Sequence, residues 1–140
     1  MSDLVVDASV ALCWFAAEDG TPAAKQLVRS AVELIAPTML LAELANALWK
    51  KTRRGELEGE VALEAMREVR RFVPEFVDIA ELVGPAFVLA RELGHPVYDC
   101  VYLVLARKRQ IRFATLDRVF VDKVAATPYG RDVVHLSDWS

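Results

Sequence analysis

Short apolar runs without polar alternation separate the helical stretches of this 140-residue chain. Residues 4–6 (Leu-Val-Val) and 34–36 (Leu-Ile-Ala) are two examples. A strand with one solvent face alternates apolar and polar residues, whereas a strand covered on both faces is continuously apolar. Runs of this kind favour a mainly parallel sheet between layers of helices. We therefore expect an α/β fold, and the length fits a single domain at 1–140.

Periodicity and stop signals predict the individual elements. Pro22 at a helix start, Pro37 after an apolar run and Gly55 after a long amphipathic stretch mark three boundaries. The strands are expected at 4–6, 34–36, 76–79, 111–114 and 133–136. The helices are expected at 10–17, 22–33, 39–54, 58–72, 81–93, 98–109 and 118–125.

Four carboxylates lie within or beside these apolar segments. Asp7 and Asp117 directly follow expected strands, and Glu43 and Asp99 lie near the starts of expected helices. A carboxylate that faces a core needs hydrogen bonds, a positive partner or a cation. No Lys or Arg adjoins the four on the apolar side, although Arg118 follows Asp117. Parallel sheets bind ligands beyond the carboxyl ends of their strands, so a shared crevice with oxygen ligands for Mg²⁺ or Mn²⁺ is expected.

Each acid also has a simpler explanation when it is considered alone. Asp7 and Asp117 fit helix caps, and Asp99 fits a first-turn acid that interacts with the helix dipole. Glu43 is harder to explain in this way because leucines and alanines surround it on its helix. The joint pattern of the four favours a metal site over four separate caps.

Other polar residues are assigned supporting or structural roles. Ser9 and Thr115 are expected to donate hydrogen bonds to the ligating carboxylates, as metal sites require. Asn46, one turn after Glu43, is a supporting candidate, with an ordinary surface amide as the alternative. His95 fits a loop residue better than a general base, since metal-dependent hydrolysis needs no histidine.

Composition limits the cellular setting and the partners. The net charge of −3 argues against bulk attraction to nucleic acid, but local basic clusters at 50–54, 67–71 and 107–109 leave an RNA path open. Cys13 and Cys100 lie in apolar helical patterns, which indicates buried thiols in a reducing compartment. No apolar run is long enough to cross a membrane, so a cytoplasmic protein is expected. Trp14, Phe15 and Trp49 are interpreted as core or interface residues.

Four motifs in sequence order resemble those of the PIN-domain ribonucleases, in particular the VapC-like toxins of type II toxin–antitoxin pairs. They are residues 5–9 (Val-Val-Asp-Ala-Ser), 41–48 (Leu-Ala-Glu-Leu-Ala-Asn-Ala-Leu), 96–102 (Pro-Val-Tyr-Asp-Cys-Val-Tyr) and 114–117 (Ala-Thr-Leu-Asp). Each motif is weak by itself, and the four in order are specific. Cys100 stands where alanine is common in such toxins.

The resemblance implies a three-layer α/β/α sandwich in which Asp7, Glu43, Asp99 and Asp117 bind Mg²⁺ or Mn²⁺. It also implies hydrolysis of RNA by metal-activated water, a small DNA-binding antitoxin as partner, and a homodimer. The alternatives are a solitary PIN nuclease and a non-catalytic binding module of the same fold. A phosphotransfer domain or a DNA nuclease fits less well, because the motifs and the length match these classes poorly.

Overall fold

The computed structural model of the chain describes residues 3–140. In this part of the chain the strands are β1 (Asp3–Val6), β2 (Glu33–Pro37), β3 (Glu75–Val77), β4 (Arg112–Thr115) and β5 (Val133–His135). They form one sheet in the order β3-β2-β1-β4-β5, and every neighbouring pair is parallel. The expected buried, parallel sheet is therefore confirmed.

Seven α-helices connect these strands in residues 3–140. They are α1 (Ala8–Phe15), α2 (Thr21–Arg29), α3 (Met39–Arg53), α4 (Gly59–Phe72), α5 (Val83–Leu93), α6 (Val97–Arg109) and α7 (Arg118–Ala125). Three short 3₁₀ turns lie at Ile79–Glu81, Gly130–Asp132 and Leu136–Asp138.

The helices divide into two layers because the strand order reverses at β1. The chain moves from β1 to β2 and β3 in one direction, then returns across the sheet to β4 and β5. Because crossover connections are right-handed, the helices that connect β1 to β2 and β3 lie on one face of the sheet, and those that connect β3 to β4 and β5 lie on the other. Helix α1 accordingly packs on α2, α3 and α4, whereas α5 packs on α6. The predicted three-layer α/β/α arrangement is confirmed.

Several predicted boundaries were wrong, among them those of α1, which was expected at 10–17 and lies at Ala8–Phe15. Two of the differences have a local cause. Helix α2 ends at Arg29 because the Ser30 hydroxyl donates to the Leu27 carbonyl (2.6 Å), and Glu33 already pairs with Asp3 in the sheet. Ile79 belongs to a 3₁₀ turn rather than to β3, because the Asp78 carboxylate accepts the Ala80 amide (2.9 Å) and starts that turn.

Helix α6 lies against the sheet and is the most deeply buried helix segment. Its residues from Cys100 to Ala106 are all buried, and it contacts β1, β2 and β4. Cys13 and Cys100 are free, buried thiols, as expected, and burial raises the pKa of the Cys100 thiol to about 11. Among residues 3–140, no helix combines the length and apolarity needed to cross a bilayer.

Candidate metal centre

The strand order creates a crevice between β1 and β4. These strands are neighbours, yet the chain leaves them in opposite directions, so the connections after them diverge. Such a reversal at the carboxyl ends of parallel strands is where open α/β sheets bind ligands. Asp7 directly follows β1, and Asp117 lies two residues after β4. Both expected strand-end acids are therefore at this crevice.

Asp7 is buried and fully engaged in hydrogen bonds. Its Oδ1 accepts from the Ser9 hydroxyl (2.6 Å) and the Val10 amide (3.2 Å), and its Oδ2 accepts from the Thr115 hydroxyl (2.5 Å). Asp7 is the N-cap of α1, as the simpler explanation predicts, and the Ser9 and Thr115 hydroxyls also donate to it. Burial raises the pKa of Asp7 to about 6, and the negative charge of Asp99 adds to this effect, while the three hydrogen bonds oppose it.

Thr115 and Ser9 connect Asp7 to the segment that follows β4. The Thr115 hydroxyl accepts from the Asp117 amide (3.1 Å), and the Ser9 hydroxyl accepts from the Leu116 amide (3.2 Å). Asp117 caps α7 through a bond from the Phe120 amide to its Oδ1 (3.2 Å). The two hydroxyls thus lie between the acid after β1 and the chain that leads to Asp117.

Glu43 on α3 meets Tyr102 on α6. The buried Tyr102 hydroxyl donates to Glu43 Oε1 at 2.5 Å. Partial burial raises the pKa of Glu43, the Tyr102 bond opposes that rise, and the negative charge of Asp99 adds to it. Burial and the surrounding carboxylates raise the pKa of Tyr102, so its hydroxyl stays protonated.

Asp99 is paired with His95, which lies four residues earlier in the loop before α6. His95 Nε2 lies 2.6 Å from Asp99 Oδ2, and its ring packs on Phe120 with ring centroids 4.8 Å apart. A carboxylate accepts hydrogen bonds, so this contact fits the tautomer with the proton on Nε2. His95 Nδ1 is buried and has no hydrogen-bond partner among the described residues. His95 lies in the loop before α6, as expected, and its ring also contacts the Asp99 carboxylate.

The donor set suits a hard divalent cation. The negative charge of Asp99 raises the pKa of both Asp7 and Glu43, so Asp99 lies close enough to each of these two acids to repel its charge. Among the ion pairs of residues 3–140, none joins these three acids or Asp117 to Lys or Arg. Oxygen donors with uncompensated negative charge are the ligands that Mg²⁺ and Mn²⁺ prefer.

The described part of the chain holds no closed metal cage. No three His, Cys, Asp or Glu side chains within residues 3–140 converge as a complete ligand group. Mg²⁺ commonly keeps several waters and uses one or two protein carboxylates, so an open carboxylate crevice is compatible with it.

Comparison with known proteins gives the family. The family model described as "PIN domain" matches residues 4–126. The chain belongs to the PIN-domain family. Ribonuclease VapC3 from Pyrobaculum aerophilum is 36% identical over 125 residues, which cover 88% of this PIN domain and 95% of that relative. The resemblance to VapC-like proteins that the motifs indicated is thus confirmed.

Two solved structures share the fold of this PIN domain. PAE2754 from Pyrobaculum aerophilum superposes with a TM-score of 0.69 at 22% identity, over 87% of this chain and 79% of that one. VapC20 from Mycobacterium tuberculosis, described as a sarcin-ricin loop cleaving toxin, has a TM-score of 0.62 at 19% identity. The match covers 81% of this chain and 87% of that one. At these identities the similarity extends to the fold alone.

Tyr102 was missed as a contributor to the PIN-domain crevice, and His95 was assigned only to a loop. A signal for Tyr102 was present, because it lies three residues after Asp99 on a predicted helix and so shares its face. A tyrosine in an otherwise apolar helix also needs a partner for its hydroxyl. Asn46 is exposed one turn after Glu43 and remains only a supporting candidate.

The basic and aromatic residues of the PIN domain divide into structural and exposed sets. Arg107 binds Asp132 (2.6 Å), and Trp14 is buried with its Nε1 donating to the Ala24 carbonyl (2.9 Å). Trp49 is 52% exposed and lies beside Lys50 and Arg53 of α3 and Arg54, the residue that follows the helix. We define the α3 basic surface as the residues that line this depression: Trp49, Lys50, Arg53 and Arg54.

Proposed function

We propose that this protein, as a single PIN domain at 1–140, is a Mg²⁺- or Mn²⁺-dependent endoribonuclease and the toxin of a toxin–antitoxin pair. The observation that carries the proposal is the carboxylate crevice at the strand-order reversal, in which acids with raised pKa values have no Lys or Arg partner within residues 3–140. The 36% identity to a protein named Ribonuclease VapC3 supports RNA as the substrate.

The residues that would hold the cation are Asp7, Glu43, Asp99 and Asp117, with Asp7 and Asp99 as the most direct ligands. When bound, such a cation lowers the pKa of water and offsets the negative charge that develops on the phosphate. Ser9 and Thr115 orient the Asp7 carboxylate through the bonds described above. Because the pKa of Asp7 is about 6, this ligand is mainly ionised above pH 7, and protons compete with the cation below pH 6.

The α3 basic surface is the proposed path for the RNA backbone. Lys50 lies seven residues after Glu43 on α3, which corresponds to about 10 Å along the helix axis. Arg53 stacks over the Trp49 ring at 5.1 Å, so this surface offers both positive charge and an aromatic face. Acidic residues of an antitoxin would use the same cations when the toxin is bound and inactive.

A homodimer and a small DNA-binding antitoxin complete the proposed assembly. Helix α5 exposes Val83, Phe87 and Val88, with 41%, 56% and 65% of their surfaces accessible. Such patches mark interfaces more often than isolated apolar residues do. The free thiols of Cys13 and Cys100 support a reducing compartment such as the cytoplasm.

Cleavage of defined substrates tests the proposed activity. We expect the purified protein to cut single-stranded or loop RNA with Mg²⁺ or Mn²⁺, to stop with EDTA, and to act poorly on duplex DNA. The products should carry 5′-phosphate and 3′-hydroxyl ends, since water rather than the ribose 2′-hydroxyl is the nucleophile. Metal-independent cleavage that leaves 2′,3′-cyclic phosphate ends would contradict the mechanism.

Light scattering and co-purification test the assembly separately. The isolated chain should behave as a dimer and should co-purify with the product of an adjacent short gene. A monomer that does not bind this product but still cuts RNA would indicate a solitary PIN nuclease. A protein that binds RNA without cutting it would indicate the non-catalytic alternative.

A further inference from the structure

Tyr102 combines a buried ring with a hydroxyl that contacts an acid on another helix. Only 1% of its surface is exposed, and its hydroxyl donates to Glu43 Oε1 at 2.5 Å. Glu43 lies on α3 and Tyr102 on α6, so this hydrogen bond joins the two helices at the carboxylate crevice. A bond to a carboxylate is stronger than one between neutral groups.

The core fixes the position of the Tyr102 ring. It stacks on Phe113 of β4 with ring centroids 5.3 Å apart and an interplanar angle of 12°. Phe113 in turn packs on Phe120, with centroids 6.1 Å apart. Protein interiors are densely packed, so the ring cannot swing away from Glu43 without displacing these neighbours. The hydroxyl is therefore presented from a rigid support.

The charges around Tyr102 keep its hydroxyl a donor. Burial and the negative charges of Glu43, Asp7 and Asp99 all disfavour the phenolate. The hydrogen bond from the Tyr102 hydroxyl to Oε1 favours one orientation of the Glu43 carboxylate, with Oε1 toward the core. Glu43 makes no ion pair with Lys or Arg in residues 3–140, so the hydrogen bond from Tyr102 is the side-chain contact that orients its carboxylate.

We propose that Tyr102 is a positioning residue that holds Glu43 of α3 beside Asp99 of α6, so that both acids face the same divalent cation. This inference rests on the proposed function. Its structural basis is that Asp99 and Tyr102 are three residues apart on one helix, so a single rigid element carries one acid and anchors the other. Outer partners of metal ligands typically change metal affinity by about tenfold or more when they are removed.

Mn²⁺ titration followed by electron paramagnetic resonance of the free ion tests the role of Tyr102. We expect Tyr102→Phe, which removes only the hydroxyl, to weaken Mn²⁺ binding about tenfold. The matched control is Tyr98→Phe, the same change on the same helix at a residue that is 67% exposed, and it should leave the affinity unchanged. Thermal melting without metal shows whether each variant is folded.

A double-mutant cycle separates positioning from general packing. In a Glu43→Ala background, Tyr102→Phe should cause no further loss of Mn²⁺ affinity, because the group it positions is gone. An unchanged affinity in Tyr102→Phe, or an equal loss in the Glu43→Ala background, would overturn the inference and leave the proposed function intact. A wild-type protein that neither binds Mn²⁺ nor cuts RNA would overturn both.

Discussion

Glu75 lies where the strands of the sheet begin, which we call the amino-terminal edge, and both terminal nitrogens of Arg109 donate to it (3.1 and 2.5 Å). Asp7 lies where the strands end, which we call the carboxyl-terminal edge, and it accepts hydrogen bonds from two hydroxyls and a backbone amide. The hydrogen bonds from Arg109 lower the pKa of Glu75 below its usual value. Burial raises the pKa of Asp7 to about 6. One sheet thus stabilises the charge of an acid at one edge and destabilises it at the other.

The two edges also differ in exposure. The Glu75 and Arg109 side chains are 47% and 39% exposed, so water solvates their charges in any case. Asp7 is 7% exposed and has no cationic partner among the described residues. Arg109 therefore pairs with an acid that water already solvates, whereas the buried Asp7 carboxylate has no Lys or Arg partner among the described residues. Strongly perturbed carboxylates in a crevice are typical of functional sites.

The largest effect is expected for Asp7→Asn. The amide has nearly the same shape but cannot supply the negative charge that a divalent cation requires, so RNA cleavage should become undetectable. The measurement is cleavage of single-stranded RNA with Mn²⁺. The matched control is Asp78→Asn, an exposed cap at the same edge of the sheet, which should remain active. Asp99→Asn should behave as Asp7→Asn does, and full activity in either site variant would remove the quartet from the mechanism.

The second largest effect is expected on the unfolding free energy of the metal-free protein, which should change with pH. The Asp7 pKa is about 6 in the folded chain and near the usual aspartate value of 3.8 in the unfolded chain, so the folded state holds an extra proton between pH 3.8 and pH 6. Stability should therefore fall as pH rises through this window, by about 3 kcal/mol from Asp7 alone. The measurement is the free energy of unfolding of the metal-free wild type and of Asp7→Asn, obtained by chemical unfolding from pH 4 to 7.5. The difference between the two proteins at each pH gives the contribution of Asp7. A difference that does not change with pH would contradict the raised pKa.

Thr115→Val should have an intermediate effect. It replaces a fully buried hydroxyl that donates to Asp7 and accepts from the Asp117 amide, so a loss of about 2 kcal/mol in unfolding free energy is expected. Mn²⁺ affinity should fall as well. Thr127→Val is the control, because Thr127 donates to the Val124 carbonyl and accepts from the Tyr129 amide away from the acids. Equal losses of Mn²⁺ affinity in both variants would exclude a specific role for Thr115.

The smallest effect is expected at the opposite edge. Arg109→Gln breaks an exposed ion pair with Glu75, and such pairs contribute about 0–1 kcal/mol. Unfolding free energy should fall slightly, less so at high salt, while Mn²⁺ affinity and RNA cleavage stay unchanged. If Arg109→Gln folds normally but cleaves less RNA than the wild type, the two edges of the sheet are coupled and the contrast between them does not hold.

Local patterns were sufficient to predict most of the fold. All five strands and seven helices found in residues 3–140 were expected, because apolar periodicity, prolines and glycines act over a few residues. The errors at the end of α2 and at Ile79 arose from side-chain caps, which compete locally with helix and strand. The sequence did not show which tryptophan is in the core, because the burial of Trp14 and the exposure of Trp49 depend on tertiary packing.

The sequence by itself determined which acids lie at strand ends and helix starts, since these positions follow from the elements alone. Only the tertiary structure decided which groups support them: Thr115 reaches Asp7 across 108 residues, and Tyr102 reaches Glu43 across 59. The physical reason is that both contacts depend on strand order and on how α3 and α6 pack about the sheet, which no local pattern encodes. The raised pKa of Asp7 follows from the same packing, because burial and not residue type sets it.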